Sequence, residues 1–328
     1  MIRTTMALTL STRRSFVVQA AALLTALPVW AQTTPIEWVV GYPAGGGSDL
    51  VARLVAEEMA KTLGRTIIVN NKPGAATNIA ADYVAKSRDV ANIMLTADFA
   101  TLAANPFLFS KLPYQAEKDF APVGLLARFP MLLVVAPNVP AKNLNEFLAW
   151  AKAQPGSVTY ASAGAGSPHH LAAELLRERT GLKLQHVPYR GAAPAVQDLI
   201  GNHVPWGMMD SAAVQQHLRS GKLRAIGVAS AKRLATFPEI PTLAEQGLAG
   251  FEAYAWQGLV VPAAADPATV ATLNKALRNA LQATTVKARF QTLSLEALPG
   301  SPEQMAAYAK SERERWGKLI RDNGIRLD

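Results

Sequence analysis

IEWVVGYPAGGGSDLVARLVAEEMAKTLG, residues 36–64, decides the fold. A short β-rich apolar run at 36–40 enters a loop with three consecutive glycines. From Leu50 onward Val51, Leu54, Val55, Met59 and Leu63 recur at helical spacing until Gly64 stops them. Strand, glycine loop and helix form the unit from which parallel sheets are built. Working outward, TIIVN at 66–70 predicts a strand, a Lys72-Pro73-Gly74 turn follows, 78–85 reads as a helix and 93–96 as a third strand. The same grammar restarts at MLLVVA (131–136). A helix at 144–153 and a strand at 158–161 follow, then the loop SAGAGSPHH (162–170) and a helix ended by Gly181. A strand at 185–188, a helix at 194–200 and a strand at 223–229 complete this series. A strand at 257–261 and two helices, 267–283 and 302–321, each opened by a proline, close the chain. No period of 20–50 residues repeats, which argues against a solenoid. The expected architecture is α/β in two lobes, each a mainly parallel sheet flanked by helices. Lobe 1 takes 35–128 plus 230–328 and lobe 2 takes 129–229, with crossings at 127–131 and 229–232 and a ligand position between them.

The 328 residues are half hydrophobic and only 17% charged, the composition of a globular chain. There is no cysteine, which excludes disulfides, thiolate metal sites and a cysteine nucleophile. The five histidines show no metal-ligand spacing, and neither a metal nor a cofactor is expected. Arg3, Arg13 and Arg14 precede an acid-free apolar run at 16–30 that ends in Val29-Trp30-Ala31, the pattern of a signal peptide cleaved after Ala31. The paired arginines fit a twin-arginine signal as well as a general secretory one. Without that segment 30 basic residues face 24 acidic ones, a balance of +6 that favours anionic ligands. The positive charges are scattered, so nucleic acid is a poor fit.

Two loops carry the chemistry. In the first (Tyr42, Ala44, Gly45, Gly46, Gly47, Ser48, Asp49) the glycines free the backbone to bring bare N–H groups against a ligand. Ser48 is expected as N-cap and Asp49 at the first helical position, where it would organise the loop. The second (Ser162, Gly164, Ala165, Gly166, Ser167, His170) repeats the design, with Ser167 as N-cap and Pro168 at the first helical position. Either loop alone could be a tight turn and no more. Two of them, each aiming a helix N-terminus, favour a pair of anion cradles facing one gap. Nucleotide sites fit less well: the second loop lacks the third glycine of a dinucleotide fingerprint, and neither ends in Gly-Lys-Ser/Thr. Tyr189 and Arg190 offer a hydroxyl and a guanidinium to the same gap. Trp206, Met208, Met209 and Trp256 read as packing residues.

At these motifs the sequence resembles the Bug family, the periplasmic receptors of tripartite tricarboxylate transporters. The resemblance rests on YPAGGGSDLVARLVAEEM (42–59), NNKPGAATNIAADYVAK (70–86), YASAGAGSPHHLAAELL (160–176), HVPYRGAAPAVQDLIGN (186–202), GKLRAIGVASAKR (221–233) and FPEIPTLAEQG (237–247), across the chain that follows the signal. It implies a two-lobe, venus-flytrap periplasmic-binding-protein fold of type II, with both loops gripping a ligand carboxylate by backbone amides. It also implies cleft roles for His170, Thr96 and Asp210. Asn71 and Lys72, the stretch 89–92 and Pro205 depart from the family pattern and fall on the distal wall, where ligand identity is set. The function implied is a monomeric, non-catalytic periplasmic receptor that passes a small organic carboxylate to inner-membrane transporter subunits. A sensor-kinase partner, and a hydrolase or lyase using His170, are the other classes open to these residues.

Overall fold

The computed structural model describes residues 34–327, so the signal segment and its cleavage after Ala31 lie outside the described residues. Among the described residues no helix is long and apolar enough to cross a membrane. The first sheet is ordered β2 (Ile67–Asn71), β1 (Ile36–Val40), β3 (Ile93–Asp98), β9 (Tyr254–Pro262) and then β4 (Phe120–Val135). The second continues from β4 through β7 (Trp206–Asp210) and β5 (Val158–Ser162) to β6 (Leu184–Pro188), with β8 (Arg224–Val228) also on β4. β1, β2 and β3 are mutually parallel, as are β5 and β6, whereas β9 and β4 run antiparallel to their neighbours.

β4 belongs to both sheets. Phe120–Pro130 pairs with β9, and Met131–Val135 pairs with β7 and β8. Only its second half is expected from sequence, because Pro122, Gly124, Arg128 and Pro130 break the apolar run. The ladder accommodates them with register shifts at 122/124 and 125/127. Pro130 stands where the strand changes partner.

After β8 the chain stays beside the second sheet: Leu234, Phe237 and Ile240 join Leu132, Val134 and Val196 in one buried cluster. The chain passes back at 251–254, where the Ala253 carbonyl accepts from Met131 and its amide donates to Ala229. Apolar burial of those three side chains, about 1.5–3 kcal/mol each, holds the segment there.

The helices cover both faces. α1 (Gly47–Leu63) buries Val51, Val55 and Met59 beside Trp38 and Val40, and ends on Gly64 at φ 62°. α8 (Pro267–Gln282) and α9 (Thr284–Thr292) fill the same side of the first sheet. α2 (Asn78–Ala85), α3 (Asn105–Leu108) and α4 (Leu144–Ala153) contribute to a cluster that runs along both sheets. α5 (Pro168–Thr180) and α10 (Pro302–Asp322) also join it. α6 (Ala192–Ile200) and α7 (Ser211–Arg219) cover the other side of the second sheet.

The registers place the candidate site. Asp98 at the end of β3 lies beside Gln257, and Gln257 beside Ala127, three residues before the crossover. Ala161, near the end of β5, lies beside Gly207, and Asp210 lies beside Met131, the first residue past the crossover. The carboxyl ends of the parallel strands of both sheets therefore face the crossover. The starts of α1, α2, α5, α6 and α7 gather there, the position at which open α/β sheets take ligands.

Candidate functional site

The first loop is exposed from Pro43 to Gly47. Gly46, at φ −76° and ψ 169°, is the N-cap of α1. This corrects the expectation of Ser48 as cap and Asp49 at the first helical position: they are the second and third residues of the helix. With no side chain capping this end, the amides of Gly47 and Ser48 have no acceptor among the described residues. Gly45 takes φ 82°, and its amide turns inward onto the Asp49 carboxylate at 2.9 Å. Asp49 is 2% exposed and also accepts from Arg53 Nε and Asn71 Nδ2, each at 3.0 Å. Burial works against its charge, but the hydrogen bonds from Arg53, Gly45 and Asn71 outweigh it and hold the carboxyl below its ordinary value. Asp49 organises the loop; its oxygens are spent inside it. Asn71 also donates to the Tyr42 carbonyl at 3.0 Å, so a position read as a departure from the family ties the loop to β2.

Behind the loop lies a buried polar chain that sequence alone leaves hidden. The Tyr42 hydroxyl donates to Asp98, which also accepts from the Thr101 amide at 3.0 Å and hydroxyl at 2.9 Å. Thr101 meets Thr77 at 2.8 Å. Burial raises the pKa of both Tyr42 and Asp98, with the Asp98 charge adding to the effect on Tyr42. Gln257, on β9, donates to Ser48 Oγ, and its own carbonyl oxygen is buried without a partner among the described residues. Ala75, Ala76 and Thr77 hold φ values of 46°, 51° and 73°, a run of left-handed non-glycine residues costing on the order of 1–3 kcal/mol each. Asn105 Nδ2, donating to the Ala76 carbonyl and Asn78 Oδ1 at 2.7 Å, holds the run in place. Thr96, expected at the site, is buried, and its hydroxyl accepts from Trp38 Nε1 at 2.8 Å; it serves the core.

The second loop departs further from expectation. Ser167 caps α5 by accepting from His170 N at 3.3 Å, with Pro168 next, as read from sequence. Gly164 and Gly166 take φ 133° and 74°, yet neither amide is available: Gly164 N donates to Ser162 Oγ at 3.1 Å and Gly166 N to His170 Nδ1 at 3.0 Å. Gly166 is buried, and a Cβ there would lie 2.5 Å from Leu108 and 2.9 Å from Leu327. Ser162 is wholly buried and supports the loop from beneath. Ala165 is the exposed residue of this turn. The two cradles are therefore unequal: the first presents open amides, the second a packed wall with one open residue.

Three other candidates face elsewhere. His170 is 7% exposed, stacked on His186 and pushed down to about 3 by burial, the neighbouring imidazole and Arg177. The Tyr189 hydroxyl donates to Asp198 at 2.6 Å rather than to the gap, and burial with that contact raises it to about 12. Asp210 caps α7 through Ala213 N at 3.0 Å and pairs with His169 Nε2 at 3.0 Å. Arg190 is exposed, with no ion pair among the described residues. Trp206, Met208, Met209 and Trp256 are core residues as expected. Among the described residues no group of three or more His, Asp or Glu could hold a metal.

Two α/β sheets joined by a shared strand, with helix starts converging on the crossover, define a two-lobe periplasmic-binding-protein fold. The chain belongs to the tripartite tricarboxylate transporter receptor family, whose model matches residues 51–325. It is 35% identical over 306 residues to the protein BugT of Bordetella pertussis, covering 92% of this chain and 94% of that one. Among solved structures it resembles R. palustris Rpa4515 with adipate, at TM-score 0.84 and 30% identity over 91% of this chain and all of that one. It also resembles MatC of Rhodopseudomonas palustris with bound malate, at TM-score 0.79 and 33% identity over 90% of this chain and all of that one.

Proposed function

We propose that this protein is an exported, non-catalytic receptor that captures a small organic carboxylate between its lobes and delivers it to the inner-membrane subunits of a tripartite tricarboxylate transporter. The carrying observation is the exposed first turn of α1, where the Gly47 and Ser48 amides stand open at the positive end of a 17-residue helix. Adipate and malate in the related structures support a ligand with at least one carboxylate. Arg190, on the loop after β6, is the side chain best suited to meet a second anionic group from the other lobe. Packing supports a lobe border through Pro130 outward and 251–254 on return, with the segment 230–250 in the second lobe. Removal of 1–31 on export to the periplasm completes the reading.

One observation favours an enzyme: Ser162 Oγ lies 2.6 Å from His186 Nε2. Against it, Ser162 has no exposed surface and its hydroxyl already engages the Gly164 backbone. The test is a calorimetric titration of ligand-stripped protein with adipate and malate, alongside mass spectrometry of what copurifies. Saturable binding with the ligand recovered intact supports the receptor; no binding of any carboxylate, or chemical turnover of one that binds, overturns it.

A further inference from the structure

His186 stands on β6 with its ring half-buried beneath the second loop. Building on the reading of 162–170 as one wall of the carboxylate site, we propose that His186 is a positioning residue. Stacked on His170, it fixes the backbone of that loop, and the stack holds both glycines only while the His170 imidazole is neutral.

The two rings are parallel to within 3°, with centroids 3.9 Å apart, and Tyr160 continues the stack at 5.0 Å from His186. Each imidazole controls one glycine of the loop. His170 Nδ1 accepts the Gly166 amide at 3.0 Å. His186 Nε2 meets Ser162 Oγ at 2.6 Å, and that oxygen contacts both the amide and the carbonyl of Gly164, at 3.1 and 3.0 Å. The φ values of 133° and 74° at these glycines are thereby fixed by side-chain contacts from below.

Neutrality follows from the hydrogen bonding. An Nδ1 that accepts an amide proton carries a lone pair, so His170 is the neutral Nε2–H tautomer, and a proton added at Nδ1 would break the bond to Gly166. The groups around the stack agree. Tyr160 and Ser162 face it from β5 and Trp206 from β7; Glu174 and Arg177 face it from α5. Glu174 is engaged by the Tyr160 hydroxyl and by Arg177 Nε, each at 2.7 Å. Burial lowers the pKa of both histidines; Arg177 adds to the effect on His170, while Glu174 opposes it on His186.

The experiment is residue-resolved amide exchange on the full exported chain, comparing wild type with His186→Phe and His186→Gln. Phenylalanine keeps the ring and loses the nitrogen; glutamine loses the ring and keeps a polar atom near Ser162. The expected result is a fall of at least tenfold in protection at Gly164 in the phenylalanine variant and a fall under threefold in the glutamine variant. A residue that only fills space gives the reverse order, which overturns the proposal. In wild type, protection at Gly166 should fall at least tenfold between pH 7 and pH 4, with 15N shifts showing His170 as the Nε2–H tautomer at pH 7. An Nδ1–H tautomer, or protection unmoved by acid, also overturns it. A parallel titration with a panel of small carboxylates that includes adipate and malate tests the functional reading separately: if wild type binds none of them, that reading fails while the exchange order still decides the role of His186.

Discussion

Gly46 and Gly166 read alike in the sequence and differ in the fold. At Gly46 the backbone is in a region open to any residue, and the nearest atom to an added Cβ is the Pro43 carbonyl oxygen at 3.5 Å. Gly46→Val should fold normally and place a branched side chain over the open amides. A loss of at least tenfold in adipate or malate affinity, about 1.4 kcal/mol, is expected by calorimetry, with the melting temperature little changed. Gly166→Val combines a left-handed φ of 74° with a clash at Leu108, and should cost more than about 2 kcal/mol in denaturant unfolding. The cap at Ser167 and the organising role of Asp49 were legible because local chemistry fixes them. The placements of Thr96, Tyr189 and Asp210 were not, because each is decided by a partner far along the chain or on another element: Trp38, Asp198 and His169.

Elements were legible where their apolar pattern was uninterrupted. α2 and α4 match their predicted ranges, and β1 is a central parallel strand with both faces covered. β7 escaped notice because Gly207 dilutes its pattern; that glycine is needed, since a Cβ there would lie 2.8 Å from the Ala161 carbonyl oxygen of β5. α7 follows Asp210 directly, and an aspartate before Ser-Ala-Ala was the available signal. At this scale the stack under α5 makes a stability prediction. His170 is held to about 3, below its unfolded value of about 6.5, so the folded state disfavours its proton. The contribution is complete above pH 6.5 and is lost as pH falls toward 3, about 2 kcal/mol being gone by pH 5. Denaturant unfolding from pH 8 to pH 5 should show this loss in wild type and a smaller one in His170→Gln.

For the molecule as a whole, β4 and the apolar cluster along both sheets join the two lobes into one structure, with α10 packed beside it. Ligand that binds only the folded form at a hundred times its Kd should add about 2.7 kcal/mol to unfolding. Thermal denaturation with adipate or malate checks this, and Gly46→Val at the same ligand concentration should gain about 1.4 kcal/mol or less. The two-sheet architecture was legible from the repeated strand-loop-helix units. The attachment of the segment after β8 was not, because Leu234, Phe237 and Ile240 are bound to the second sheet by packing rather than by any local pattern.

The open amides of α1 belong to the main chain, which every sequence possesses. On the proposed reading, a handle built this way survives substitution of the side chains around it, which leaves those side chains free to choose among acids without altering the grip.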